Sequence, residues 1–156
     1  MRCLKNADKL WKVHSMQGIL ADHNCEGQAE AIFNALRNHG FLSLFAIQLL
    51  LFDDVGLSIT AADLEVWRLC QAKGYLLLTE NRTASDGVKS LEFNIYQFIT
   101  PDSLPVITIG NLRRVNVDPV YCWHCAEDLV EIVLDLNRVR GVPRLYIPGS
   151  AVQQYR

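Results

Sequence analysis

The segment Tyr75-Leu-Leu-Leu-Thr79 constrains the fold of this chain more than any other. It is a short apolar run with Gly74 in front and the polar Glu80-Asn81-Arg82 behind. A run with no polar side to offer water fits a strand buried on both faces, as in a parallel sheet. Parallel neighbours need crossover connections, so helices must alternate with strands.

From Gln17 onward the sequence provides that alternation. Gly18-Ile-Leu-Ala21 reads as a buried strand ending at Asp22. Residues 27–38 put Ala29, Ile32, Phe33 and Leu36 at helical spacing, and Gly40 closes the helix. Residues 42–51 are too apolar to show a period; a second strand is expected inside them, with an adjoining turn of helix. Residues 54–62 read as a loop in which Thr60 and Asp63 resemble a capping box. Residues 63–73 follow as a helix with Leu64, Trp67, Leu69 and Cys70 available to the core. After the Tyr75 strand come a polar loop (80–89) and a helix (90–98). Pro101 and Pro105 bracket a turn, and Val106-Ile-Thr-Ile109 reads as a fourth strand. Residues 119–138 predict the longest helix, with Cys122, Leu129, Ile132, Val133 and Leu136 inward. Gly141 and Pro143 end it before a last strand, Arg144-Leu-Tyr-Ile147. The expected fold is α/β: a three-layer α/β/α domain over residues 17–150, with a mostly parallel central sheet of about five strands. Its crossovers should be right-handed. Residues 1–16 form an N-terminal extension, either loose or with a short helix over 8–13 docked through Trp11.

Composition narrows the function. The chain has 156 residues, enough for one core, and a formal net charge of −2. That charge gives no global attraction to nucleic acid or anionic lipid, so any such contact must be local. No apolar stretch is long enough to span a bilayer, and the first residues lack a secretory pattern. The five cysteines (Cys3, Cys25, Cys70, Cys122 and Cys125) are odd in number and scattered, which fits a reducing cytoplasm. Cytoplasmic location and no membrane partner are the expectations.

In open parallel sheets the ligand site lies beyond the carboxyl ends of the strands. Asp22 directly follows the first strand there, and Glu80 follows the third. Asp63 opens the helix leading back into the third strand, so it belongs to the same end. Asp86 and Glu92 come from the loop and helix beyond. Clustered carboxylates repel one another and are tolerated with a cation, and oxygen donors select hard ions such as magnesium or manganese. Three of these acids also have a plainer reading: Asp63 as a helix cap, Asp86-Gly87 as a turn, Glu80 as a solvated loop residue. Asp22 follows a buried strand, and the polar run Asp22-His23-Asn24 breaks the apolar pattern where a sheet-end site would lie. His23 is equally a ligand or substrate contact, or a solvated loop residue. Cys122-x-x-Cys125 with His124 has the spacing of a metal half-site, but no second pair completes it and no zinc is expected. Gly56-Leu-Ser-Ile-Thr60 lacks the last glycine of a nucleophile elbow, and neither common phosphate-binding glycine loop is present. Arg82, Lys89, Arg113 and Arg114 are basic residues able to meet phosphates.

In order along the chain, Leu20-Ala-Asp22-His-Asn24, Ala62-Asp63-Leu-Glu-Val-Trp67 and Leu77-Leu-Thr79-Glu80-Asn81-Arg82 form a set. Asp86-Gly-Val-Lys-Ser-Leu-Glu92, Thr100-Pro-Asp-Ser-Leu-Pro-Val106 and Gly141-Val-Pro-Arg-Leu-Tyr-Ile-Pro148 extend it. Over residues 17–148 this set resembles the PIN-like nuclease superfamily, and more closely a bacterial PIN-like group with a Leu-Leu-Thr-acid-Asn-Arg motif. Members of that group are sometimes described as acyl-carrier-protein malonyltransferases, a chemistry for which this sequence has no complete nucleophile elbow.

The resemblance implies a metal-dependent RNase that uses Mg2+ or Mn2+ and RNA as substrate. It implies Asp22, Asp63 and Glu80 as catalytic residues and Asp22, Asp63, Glu80 and Asp86 as metal ligands. Asn24, Asn81, Arg82 and Lys89 fall in substrate-binding positions. Many PIN-like proteins carry an aspartate where this chain has Asn81. Either Glu80 or Asp86 then supplies the third carboxylate, or the metal is held weakly. The alternative is a PIN-like binding module with little or no activity. A homodimer and an antitoxin-type protein partner are further expectations from the resemblance.

Overall fold

The computed structural model describes residues 16–80 and 91–149. The expectations for residues 1–15, and for Asn81, Arg82, Asp86 and Lys89, lie outside the described residues. Five strands form one all-parallel sheet: β1 (Gln17–Ala21), β2 (Ile47–Leu50), β3 (Leu76–Glu80), β4 (Val106–Ile109) and β5 (Arg144–Ile147), in the order β2-β1-β3-β4-β5. Glu80 is therefore the last residue of β3 and does not merely follow it. The described helices are α1 (Glu26–Asn38), α2 (Asp63–Lys73), α3 (Leu91–Phe98), α4 (Leu112–Val117), α5 (Pro119–Leu134) and α6 (Leu136–Val139). Short 3-10 turns lie at His23–Cys25, Phe41–Ser43 and Phe52–Val55. None of the described helices is long and apolar enough to cross a membrane.

Side chains alternate along each strand, which divides the core in two. On one face Ile19, Ala21, Leu76, Leu78, Ile107, Ile109, Leu145 and Ile147 pack with residues of α1, α4, α5 and α6. On the other, Leu20, Leu77 and Val106 pack with Val66, Trp67 and Cys70 of α2 and Ile95 of α3. The second face is the smaller. Gly18 lets β1 pass the ring of Tyr75, because a Cβ there would meet that ring at 2.5 Å.

Three sequence expectations need correction. Residues 119–138 are not one helix. Asp118 caps α5 by accepting from Tyr121 N–H at 3.1 Å, and at Asp135 the backbone leaves the helical region (φ −108°, ψ 26°) before α6 begins. The separate helix α4 was not expected at all. Its cap is Asn111, whose side chain accepts from Arg114 N–H at 3.3 Å. Thr60 does not cap α2, whose capping position is Ala62 and carries no side-chain bond; Thr60 pairs with Ser58 at 2.8 Å instead.

The third correction concerns handedness. The β1–β2 connection moves one way across the sheet with α1 on the larger face. The β2–β3 and β3–β4 connections move the other way with α2 and α3 on the smaller face, which is the same hand. The β4–β5 connection also moves that other way, yet α4, α5 and α6 lie on the larger face. It therefore has the opposite hand. The right-handed preference belongs to a twisted strand feeding a single packed helix, whereas this connection carries three helices. Its buried residues, from Val115 to Val139, join the apolar cluster already built by α1.

Candidate functional site

Strand order fixes where a site belongs. The chain leaves β1 toward β2 and then returns past β1 to β3, so the order reverses between β1 and β3. A doubly wound sheet opens its ligand crevice beyond the carboxyl ends of such a pair. Asp22 and Glu80 stand there. Asp22 N–H donates to Leu78 O at 2.8 Å, which extends the β1–β3 pairing by one bond and fixes the start of the turn at His23–Cys25. Glu80 ends β3 opposite Ile109 of β4. Both carboxylates are partly buried.

Cys25 reports that the two acids share one environment. Its thiol is fully buried and donates to Leu78 O at 3.3 Å. Burial, together with the negative charges of Asp22, Glu80 and Glu26, pushes its pKa far above that of an ordinary thiol. The group stays a neutral S–H, so it offers no thiolate to a soft metal and leaves oxygen donors at the crevice.

Asp63 lies at the same end of the sheet by a different route. α2 leads through Gly74 (φ 72°) into the start of β3, so its first residue returns to the carboxyl end. Eleven helical residues and five strand residues both span about 16 Å. Asp63 is the first helical residue, where a carboxylate also complements the helix dipole. Alternation separates the acids, however. Asp63 belongs to the helix on the smaller face, while Glu80 has the parity of Leu76 and Leu78 on the larger one. Among the described residues no three His, Cys, Asp or Glu side chains are grouped to hold a metal ion.

Other candidates fall into place around this edge. Asn24 is exposed in the turn after Asp22. His23 Nδ1 is 3.4 Å from Glu26 Oε1, and its ring lies 6.0 Å from that of Phe52. A cleft of about 110 Å³ is lined by His23, Glu26, Leu51, Phe52, Asp53 and Ile59. A larger cleft of about 720 Å³ lies along β2 and α1, from Met16 to Leu49, and holds none of the three candidate acids. Glu92 is exposed on α3. Arg114 is committed locally: it pairs with Asp118 at 2.7 Å and covers the Tyr121 ring at 4.3 Å. Cys122 and Cys125 are buried in α5, while His124 is exposed.

Sequence reasoning missed two residues of this edge, Cys25 and Asp53. Asp53 lies in the 3-10 turn three residues past the end of β2, and its signal was present in the sequence: an acid directly after the apolar run that ends at Phe52. Cys25 had no signal of its own. No family model, curated protein or solved structure matches this chain.

Proposed function

We propose that the chain is a metal-dependent phosphodiesterase acting on RNA, with its site at the β1–β3 crevice. The observation that carries this reading is the pair Asp22 and Glu80 at the carboxyl ends of β1 and β3, the point where strand order reverses. Asp63, at the start of α2, stands at the same end of the sheet. These donors fit a hard cation: they are oxygen groups, and the one nearby thiol is held protonated. Asp22, Asp63 and Glu80 would hold magnesium or manganese, with Asp86 as a further donor. Such an ion, when bound, supplies the positive charge that steadies a phosphate and acidifies water. The chain's own part is to aim these carboxylates and to meet the phosphate with Arg82 and Lys89, while Asn24 and Asn81 hydrogen-bond the substrate. The reading locates the protein in the cytoplasm, where Cys25, Cys70, Cys122 and Cys125 stay reduced as free thiols.

A second reading is a PIN-like binding module with weak or absent activity, working as a homodimer or with an antitoxin-type partner. The observation that favours it is the split between Glu80 and Asp63 onto different faces.

The test is cleavage of single-stranded RNA with magnesium or manganese, abolished by chelator. Asp22→Asn should remove activity and leave the fold intact. If Glu80 is the third ligand, Glu80→Gln is equally damaging and Asn81→Asp changes little. If the site is short of one carboxylate, Asn81→Asp raises the rate. Failure of both wild type and Asn81→Asp on a broad RNA and DNA panel leaves the binding module.

A further inference from the structure

Among the described residues, the smaller face of the sheet is covered only in part. α2 and α3 pack there on Leu20, Leu77 and Val106, while the whole β4–β5 connection lies on the other side. Past Val106 the smaller face carries Thr108 on β4 and Arg144 and Tyr146 on β5, with Thr108 beside Tyr146 in register. Thr108 is fully buried and Tyr146 is 49% exposed. Arg144 donates from Nη1 to Thr108 Oγ1 at 3.1 Å, and Thr108 Oγ1 lies 3.3 Å from Thr79 Oγ1. The Nε of Arg144 is buried with no hydrogen-bond partner. Among the described residues no carboxylate pairs with this guanidinium.

This is an unusual place for a positive charge. Arg114, by contrast, has Asp118. A guanidinium drawn partly out of water, with a neutral hydroxyl for company, carries an unmet demand for negative charge. We propose that Arg144 is an anion site for a phosphate group, with the Tyr146 phenol at its rim. The forked guanidinium suits phosphate oxygens. Thr108 is a positioning residue: it holds one arm of the fork, and Thr79 in turn holds Thr108. The site stands apart from the candidate carboxylates. It lies two strands from β3, about 10 Å across the sheet. Free phosphate and the backbone phosphate of a polynucleotide share the required chemistry.

The test is thermal unfolding of the full chain in chelator, with inorganic phosphate against chloride at matched ionic strength. Wild type should gain about 8 °C at a phosphate concentration a hundredfold above its Kd. Arg144→Gln should lose that gain, while Arg138→Gln, at an exposed position elsewhere, should keep it. Asp22→Asn should also keep it, whatever happens to RNA cleavage, so the two readings stand or fall separately. If inorganic phosphate gives no gain, a single-stranded RNA oligonucleotide is titrated over a range of salt. A salt slope reduced by roughly 0.7 in Arg144→Gln identifies one backbone phosphate as the ligand. If Arg144→Gln does not fold, Arg144→Lys and Tyr146→Phe take its place and must weaken the response. A response to phosphate and oligonucleotide that is absent, or unchanged in these variants, overturns the site.

Discussion

The two faces of the sheet are built to different rules. The larger face is a continuous apolar layer, in which fully buried residues from β1, β3, β4 and β5 meet α1 and α5. The smaller face has fewer apolar residues, and its polar groups sit within the sheet itself: Thr79, Thr108 and Arg144. Asp63 belongs to a helix of that face. Apolar packing and the buried polar groups of the sheet are thus divided between the two sides, and Glu80 is the candidate acid whose parity puts it on the apolar side.

The sharpest way to break this comparison is to truncate each face and compare the losses. Leu129→Ala, at a fully buried position in α5, should cost about 3 kcal/mol in urea unfolding. A loss below about 1 kcal/mol would mean that the larger face does not hold the main core. Thr108→Val on the smaller face should cost less, about 1–2 kcal/mol, because Arg144 loses its acceptor and Thr79 a partner. Trp67→Phe should be smaller still, within about 1 kcal/mol of wild type. The indole Nε1 of Trp67 is buried without a hydrogen-bond partner, and removing it offsets part of the lost volume.

The smallest effects come from titration, and two aspartates of the β4–β5 connection should act in opposite directions. The hydrogen bond from Arg114, with that from Tyr121 N–H, holds Asp118 below the ordinary carboxylate pKa. Its contribution is present above the unfolded value near 4 and is lost as pH falls through the folded one. Asp128 is raised, chiefly by burial and against the bond it accepts from Gly149 N–H at 2.7 Å. The protonated form is favoured there, so its contribution is present at low pH and is lost as pH rises through the raised value. In melting curves across pH, Asp118→Asn should flatten the acid limb, and Asp128→Asn should slightly raise the melting temperature near neutrality.

Strands β1, β3, β4 and β5 were legible because each is short and punctuated, whereas β2 could be placed only somewhere within the unbroken apolar run 42–51. Ala29, Ile32, Phe33 and Leu36 were legible as the buried stripe of α1 because helical spacing exposes that stripe directly. The break at Asp135 was hidden, since apolar residues continue on both sides of it. The reversed hand of the β4–β5 connection was hidden more deeply. It depends on which face offers room for the apolar side of α5, and that is decided by α1, about a hundred residues earlier. At the candidate site, the positions of Asp22 and Glu80 at strand ends could be read from the sequence. Which face each carboxylate takes could not, because one residue of register reverses it. Arg144 read only as the start of a strand, and that no described carboxylate pairs with it appears only when the neighbouring strands are assembled.

One side chain changes how the last part of the sheet is held. Gln71 of α2 donates to Leu104 O at 3.0 Å and accepts from Leu104 N–H at 2.9 Å. An amide thus imitates a strand partner for a residue outside any strand. Leu104 is buried, and the bonded pair is spared water on both sides. The segment leading into β4 then opens only when α2 lets go, so its amide proton should exchange with solvent on the schedule of the helix and not of a surface loop. The boundary of the slowest-exchanging unit would run through a connector, at a place where backbone pattern alone would put none.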